Sequence, residues 1–297
     1  MTDIAKPLPP AAPGGVLWVL AAAALWGTTG TAQGLAPDSV RPQEIGAIRL
    51  LLGGTALMVP VLLRGSLRDG KGWPLVPTAV SVFFVALYQL AFFAGVAVTG
   101  VAVGTMVAIG CGVVSAGLLG GIVRRERLGA AWAAATACAF SGCVLLAAAG
   151  GGLAFHPLGI LLSAGSGVAY AVYTLSMKTL LDRKPPDAVM AVCFSLAALL
   201  LLPVLAAGDL QWLAQPRGVA AAVHLGVCAT ALAYACFARG LRTLTVGTAA
   251  TLSLAEPLTA ALLGIFVLGE CLSLPAAAGM LLIMAGLVVM AVSSRAP

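Results

Sequence analysis

Charge is what this chain has least of. Only 9% of its 297 residues are Asp, Glu, Lys or Arg, where a soluble globular domain carries about 25%. Histidine occurs twice, as His156 and His224, which excludes a metal centre built from several imidazoles. The seven cysteines (Cys111, Cys138, Cys143, Cys193, Cys228, Cys236, Cys271) contain no CxxC pair and lie mostly inside apolar runs. They read as small core residues, not as disulfides or metal ligands. HExxH, GxSxG and any deep pairing of histidine with an acid are missing, so an intramembrane enzyme would lack recognisable catalysts. Long polar gaps are missing as well, and no interval between apolar stretches could hold a soluble domain.

What is present is lipid-compatible. Hydrophobic residues make up 61% of the chain, and a membrane-spanning helix needs about 20 of them in succession. Ten such stretches are predicted, at 15–35, 43–63, 74–97, 100–123, 128–149, 157–180, 187–206, 217–240, 246–268 and 273–293. The expected fold is an all-α polytopic membrane protein. The basic residues order it. Lys6 precedes the first stretch, and Arg64, Arg68 and Lys71 follow the second. Arg124, Arg125 and Arg127 follow the fourth, Lys178, Arg183 and Lys184 the sixth, Arg239 and Arg242 the eighth, and Arg295 the tenth. Basic residues collect on the cytoplasmic side of membrane proteins, so both termini are expected inside. The net charge of +6 is this orientation signal and not a nucleic-acid footprint. Residues 1–14 read as a disordered cytoplasmic tail, followed by helical units at 15–149 and 157–293.

Those two units repeat each other at an offset of 143–144 residues. Gly104-Thr105 matches Gly247-Thr248, Pro60 matches Pro203, and Glu126-Arg127-Leu128 matches Glu270-Cys271-Leu272. Ser141-Gly142 matches Ala285-Gly286, and Trp26 falls opposite Tyr170. Five spans is an odd number, so the second copy enters the membrane from the other side. Inverted repeats of this kind form a pathway near the midplane where the halves meet.

Ser253-Leu254-Ala255-Glu256-Pro257, then Leu268-Gly269-Glu270, Gly279 and Gly286, resemble the closing signature of the EamA-type drug/metabolite transporters. Glu126 and Gly142 stand where a weaker first copy of that signature would put them. The Glu256-Pro257 pair departs from this symmetry, because Gly112 and Val113 occupy the matching places. The resemblance covers nearly the whole chain from Leu25-Trp26-Gly27 onward. It implies a ten-helix exporter of small metabolites in a bacterial inner membrane, and among such proteins it extends to the YddG-type amino-acid exporters.

The residues themselves point to a wet chamber. Tyr88, Tyr170, Tyr173 and Tyr234 all lie deep within predicted spans, as does Trp26, although Tyr and Trp normally gather at the interface. Interhelical packing would accommodate any one of them; five at one depth suggest a shared pocket. Trp26 shares a helical face with Thr29, Gly30 and Gln33. Ser163, Ser166, Tyr170, Tyr173, Thr174 and Met177 form a second stripe, suited either to a cavity or to a helix contact. Phe92 with Tyr88 adds an apolar wall. Glu256, beside Ser253 and Pro257, reads as a polar anchor or as a hydrogen-bonded hinge. Arg49 has two readings, a side chain reaching outward to the surface or a cation steering a carboxylate. Lys178 and Arg239 read as topology determinants, and Glu126 and Glu270 as solvated or terminal anchors. Gly117 with Gly121, and Gly279 with Gly286, read as helix contacts, with monomer and dimer both open.

The expected substrate-binding set is therefore Trp26, Thr29, Gln33, Tyr88, Phe92, Ser163, Ser166, Tyr170, Tyr173, Tyr234, Ser253 and Glu256, with no cofactor and no metal. The expected activity is export of small amphipathic solutes, neutral or aromatic amino acids first, by alternating access. A cationic-drug exporter is the main alternative, ahead of a non-transporting scaffold.

Overall fold

A computed structural model describes residues 13–37, 39–67, 72–149, 156–269 and 271–294. The predicted tail as far as residue 12, Lys6, Arg68, Lys71, Arg295, Glu270 and the 150–155 connection lie outside the described residues. Among those described there is no strand. The first half comprises α1 (Pro13–Gly34), α2 (Pro42–Leu63), α3 (Leu75–Thr99), α4 (Val101–Arg124) and α5 (Ala130–Ala149). The second comprises α6 (Pro157–Leu181), α7 (Pro186–Leu200), α8 (Leu202–Ala207), α9 (Pro216–Val223), α10 (Ala233–Thr243), α11 (Val246–Leu252), α12 (Ala255–Leu268) and α13 (Leu274–Ser293). Proline opens α2, α6, α7 and α9, where its missing N–H costs nothing. Thr245 and Ser273 cap α11 and α13 through their hydroxyls.

Nine helical segments among the described residues are long and apolar enough to cross a bilayer. The stretch predicted at 187–206 is not one helix. It breaks at Leu201, ahead of Pro203 in the first turn of α8, leaving α7 with 15 residues. At 1.5 Å per residue that is about 22 Å, short of the roughly 30 Å hydrocarbon core. Two other predicted spans are continuous but irregular. α9 and α10 are joined through a π-helical segment at His224–Leu232, and α11 passes to α12 through a turn at Ser253 and Leu254. There Pro257 has no N–H to offer the Ser253 carbonyl, and the Glu256 N–H takes it instead at 2.9 Å.

Small residues set which helices meet, and each meeting occurs twice. On α3, a Cβ at Gly95 would stand 3.1 Å from the Gly159 carbonyl of α6 and 2.9 Å from Ser163 N. On α10, a Cβ at Gly240 would stand 2.7 Å from the Gly15 carbonyl of α1 and 3.1 Å from Val19 N. Gly15 and Val19 are the repeat partners of Gly159 and Ser163. Likewise Gly142 of α5 abuts the Gly279 backbone of α13, while a Cβ at Gly286 would meet the Ala135 carbonyl at 2.6 Å. Exchanging the halves maps each contact onto its counterpart, so an approximate two-fold axis relates them. α2–α7 and α5–α13 pair across that axis.

Helices in lipid associate through such close backbone approach. Gly142→Ala is therefore expected to lower the melting temperature of the purified protein in detergent by several degrees, since overpacking costs about 1–3 kcal/mol. Gly165→Ala, where a Cβ meets nothing within 4 Å, should leave it unchanged or raise it.

Candidate functional site

Where the helices part, they leave a cavity of about 770 Å³. Its depth is set by aromatic residues: Trp26 of α1, Tyr88 and Phe92 of α3, Tyr170 of α6 and Tyr234 of α10 all line it. The rings touch in two groups, with centroids 5.8 Å apart for Phe92–Tyr88 and 6.2 Å for Tyr88–Tyr170 in one, and 5.0 Å for Trp26–Tyr234 in the other. Polar groups are few: Thr29 and Gln33 below Trp26, Thr105 on α4, Ser253, Glu256 and Arg49. The Tyr170 hydroxyl lies 3.5 Å from Ser253 Oγ. The Glu256 carboxyl group makes no hydrogen bond or ion pair among the described residues.

The cavity opens toward one face of the helix bundle. Gln33, Pro42, Val96, Ala149, Leu272 and Ser273 line its outer part, at the last turns of α1, α3 and α5 and the first of α2 and α13. The opposite face, where α4, α6 and α10 end, contributes no lining residue and is crossed by charges instead. Arg124 pairs with Asp182 at 2.9 Å, and Arg239 with Asp187 at 2.8 Å. Lys178, wholly buried, donates from Nζ to the Leu241, Leu244 and Arg242 carbonyls at 2.6, 2.7 and 3.0 Å. Glu126 accepts the Val246 N–H at 2.9 Å. A cation thus sits at the end of α10 and an anion at the start of α11, each favoured by the helix dipole.

The sequence matches the EamA-like transporter family over residues 13–148 and again over 157–292. The chain belongs to the EamA-like transporter family. It is 42% identical over 280 residues to the uncharacterized transporter YwfM of Bacillus subtilis (strain 168), covering 94% of each chain. It is 27% identical to the uncharacterized inner membrane transporter YicL of Salmonella typhimurium (strain LT2), covering 95% of this chain and 96% of that one. A solved crystal structure superposes with a TM-score of 0.82 at 25% identity, covering 95% of this chain and 97% of its own.

In this EamA transporter the structure brings together Trp26, Thr29, Gln33, Tyr88, Phe92, Tyr170, Tyr234, Ser253 and Glu256 around one space. Three of the expected site residues are elsewhere. Ser163 and Ser166 are wholly buried; Ser163 fills the α3–α6 crossing against Gly95, and Ser166 Oγ donates to the Ser163 carbonyl at 2.7 Å. Their stripe is a helix contact, because that face of α6 packs on α3 and α4. Tyr173 lies behind the lining, its hydroxyl 3.2 Å from that of Tyr234. Lys178, expected as a topology determinant, is buried, and of the two readings of Glu126 the structure shows the helix-terminus anchor, not the solvated one.

Arg49 is the charged lining residue absent from the expected set. It does not reach outward along the lipid: 9% exposed, it donates from Nε to Thr230 Oγ1 at 3.1 Å and from Nη2 to the Ala229 carbonyl at 3.3 Å. Both partners belong to the π-helical segment, whose i−5 pattern leaves that carbonyl available. A lone arginine in an apolar run was the available signal, but its direction depended on a helical irregularity that the sequence does not announce.

Burial pushes the Glu126 carboxyl above its usual range, against the opposing pull of the Val246 N–H and the Lys178 and Arg124 charges. A carboxyl raised by folding stabilises the fold below its unfolded value of about 4.5, and that contribution is lost as pH rises through the folded value. Glu126→Gln removes this dependence. The melting temperature of wild type relative to Glu126→Gln should therefore fall as pH rises from about 4.5 toward neutrality.

Proposed function

We propose that this transporter exports zwitterionic amino acids, those with apolar or aromatic side chains above all, through the ring-lined cavity between its two halves. The single observation that carries this reading is the composition of the lining: six aromatic rings, a few hydroxyl and amide groups, one acid and one base. The volume of about 770 Å³ suits a small solute, since ligand pockets run from about 300 to 1,000 Å³. Rings match an apolar side chain. Glu256, with no partner of its own, offers a place for an ammonium group. Expelling a sugar phosphate by the same route would call for several deep cations, and among the described residues the lining holds Arg49 alone.

The reading includes a membrane placement. α7 with α8 makes a tenth crossing, and both termini face the cytoplasm, supported by the clustering of basic residues at the ends of α2, α4, α6 and α10. The cavity then opens outward, and the face held by Arg124–Asp182 and Arg239–Asp187 is the closed cytoplasmic gate. Alternating access requires those contacts to separate while the outer ends of α1, α3 and α5 close. A bacterial inner membrane is the location this implies, in keeping with the name of the Salmonella relative. Glu256 beside the rings also favours a second reading, export of organic cations, because cations bind aromatic faces.

Purified protein in liposomes is expected to equilibrate labelled phenylalanine faster than empty vesicles. Trp26→Ala and Tyr170→Ala should each reduce that flux about tenfold or more while the protein remains monodisperse. Flux of none of the twenty amino acids would discard the amino-acid reading, and wild-type rates in both variants would move the binding site elsewhere.

A further inference from the structure

A buried guanidinium surrounded by lipid-facing helices needs an anionic counterpart or a full set of acceptors. Arg49 has neither. Its Nε and Nη2 are held by Thr230 and Ala229, and among the described residues its Nη1 makes no hydrogen bond and no carboxylate lies within ion-pair distance of it. The side chain is more than nine-tenths buried, yet it lines the cavity. Two of its donors are therefore spent on orientation, and the remaining edge of the fork is turned to the space a solute would fill. Glu256 lines the same space without closing a bridge to it, so the two opposite charges stand apart with room between them. A mobile side chain would collapse onto the acid; the bonds to the π-helical segment prevent that.

We propose that Arg49 is the anionic subsite of this cavity. Its free edge takes the carboxylate of the solute, and Glu256 takes the ammonium group at the other end. This rests on the amino-acid reading above for the ammonium half, while the carboxylate half stands on the Arg49 geometry alone. A carboxylate fits better than a phosphate. One free guanidinium edge balances one negative charge, and no second basic residue lines the cavity among the described residues. The subsite would make the transporter discriminate against decarboxylated amines, which share the ring and the ammonium group but leave Arg49 buried and unpaired.

Equilibrium binding to the full-length protein in detergent, measured by isothermal titration, separates the two ends of the solute. Phenylacetate carries the carboxylate only, phenethylamine the ammonium only. Arg49→Met is expected to weaken phenylacetate binding by about tenfold or more, as loss of a charge-assisted hydrogen bond predicts, and to leave phenethylamine within about twofold. Glu256→Gln should do the reverse. Arg49→Gln, which keeps a polar end for Thr230, serves if the methionine variant fails to fold, and must show the same loss. Equal phenylacetate affinity in wild type and the charge-removed variant overturns the proposal, as does failure of phenylacetate to bind the wild type. If liposomes move no amino acid but phenylacetate binding depends on Arg49, the carboxylate subsite stands and the amino-acid reading falls.

Discussion

Apolar side chains gain almost nothing by leaving lipid for one another, so helices inside a bilayer are held by how closely their backbones can approach. In this protein that approach happens where glycine or alanine meets glycine. Gly142 meets Gly279 and Gly286 meets Ala135 between α5 and α13, while Gly95 meets Gly159 and Gly240 meets Gly15 at the α3–α6 and α1–α10 crossings. Because each contact is present in two copies related by the repeat, the halves interlock instead of lying side by side. The cavity is the complement of this arrangement. Helices pinned at glycine crossings must separate where they carry Trp26, Tyr88, Tyr170 and Tyr234, since rings of that size hold backbones apart.

Three buried charges obey one further rule: backbone polar groups become available in a membrane only where a helix ends or departs from the regular pattern. Lys178 takes carbonyls at the end of α10, Glu126 the N–H at the start of α11, and Arg49 a carbonyl of the π-helical segment. The first two lie on the face where the basic residues gather and join α4 and α6 to the α10–α11 junction. The third lies in the cavity. Identical chemistry thus serves closure in one place and recognition in the other, and what distinguishes them is whether the charge is fully ringed by acceptors. Lys178 is; Arg49 keeps an edge free.

Much of the architecture was legible in the residues. Apolar run lengths mark the helices, the offset repeats mark two related halves, and the mid-depth aromatics Trp26, Tyr88, Tyr170 and Tyr234 do converge on one space. Ser163, Ser166 and Tyr173 did not follow, although they share a helical stripe with Tyr170. A stripe specifies which face of α6 is small and polar, but α6 is enclosed on two sides, and only the turn bearing Tyr170 reaches the cavity. The positions of the Arg49 and Lys178 side chains were illegible for a related reason. A long basic side chain near a helix end looks solvated when its helix is considered alone, and the acceptors that hold it belong to segments about 60 to 180 residues away.

Composition and periodicity alone determined that this chain is helical, membrane-embedded and internally doubled, because those properties follow from local apolar length and from residue spacing. Tertiary structure decided where the space lies, which face it opens to, that α7 stops short, and which charges are spent on holding helices together. These depend on which helix lies against which, and on backbone groups released by a turn or a π-helical segment, neither of which a single strand of sequence displays.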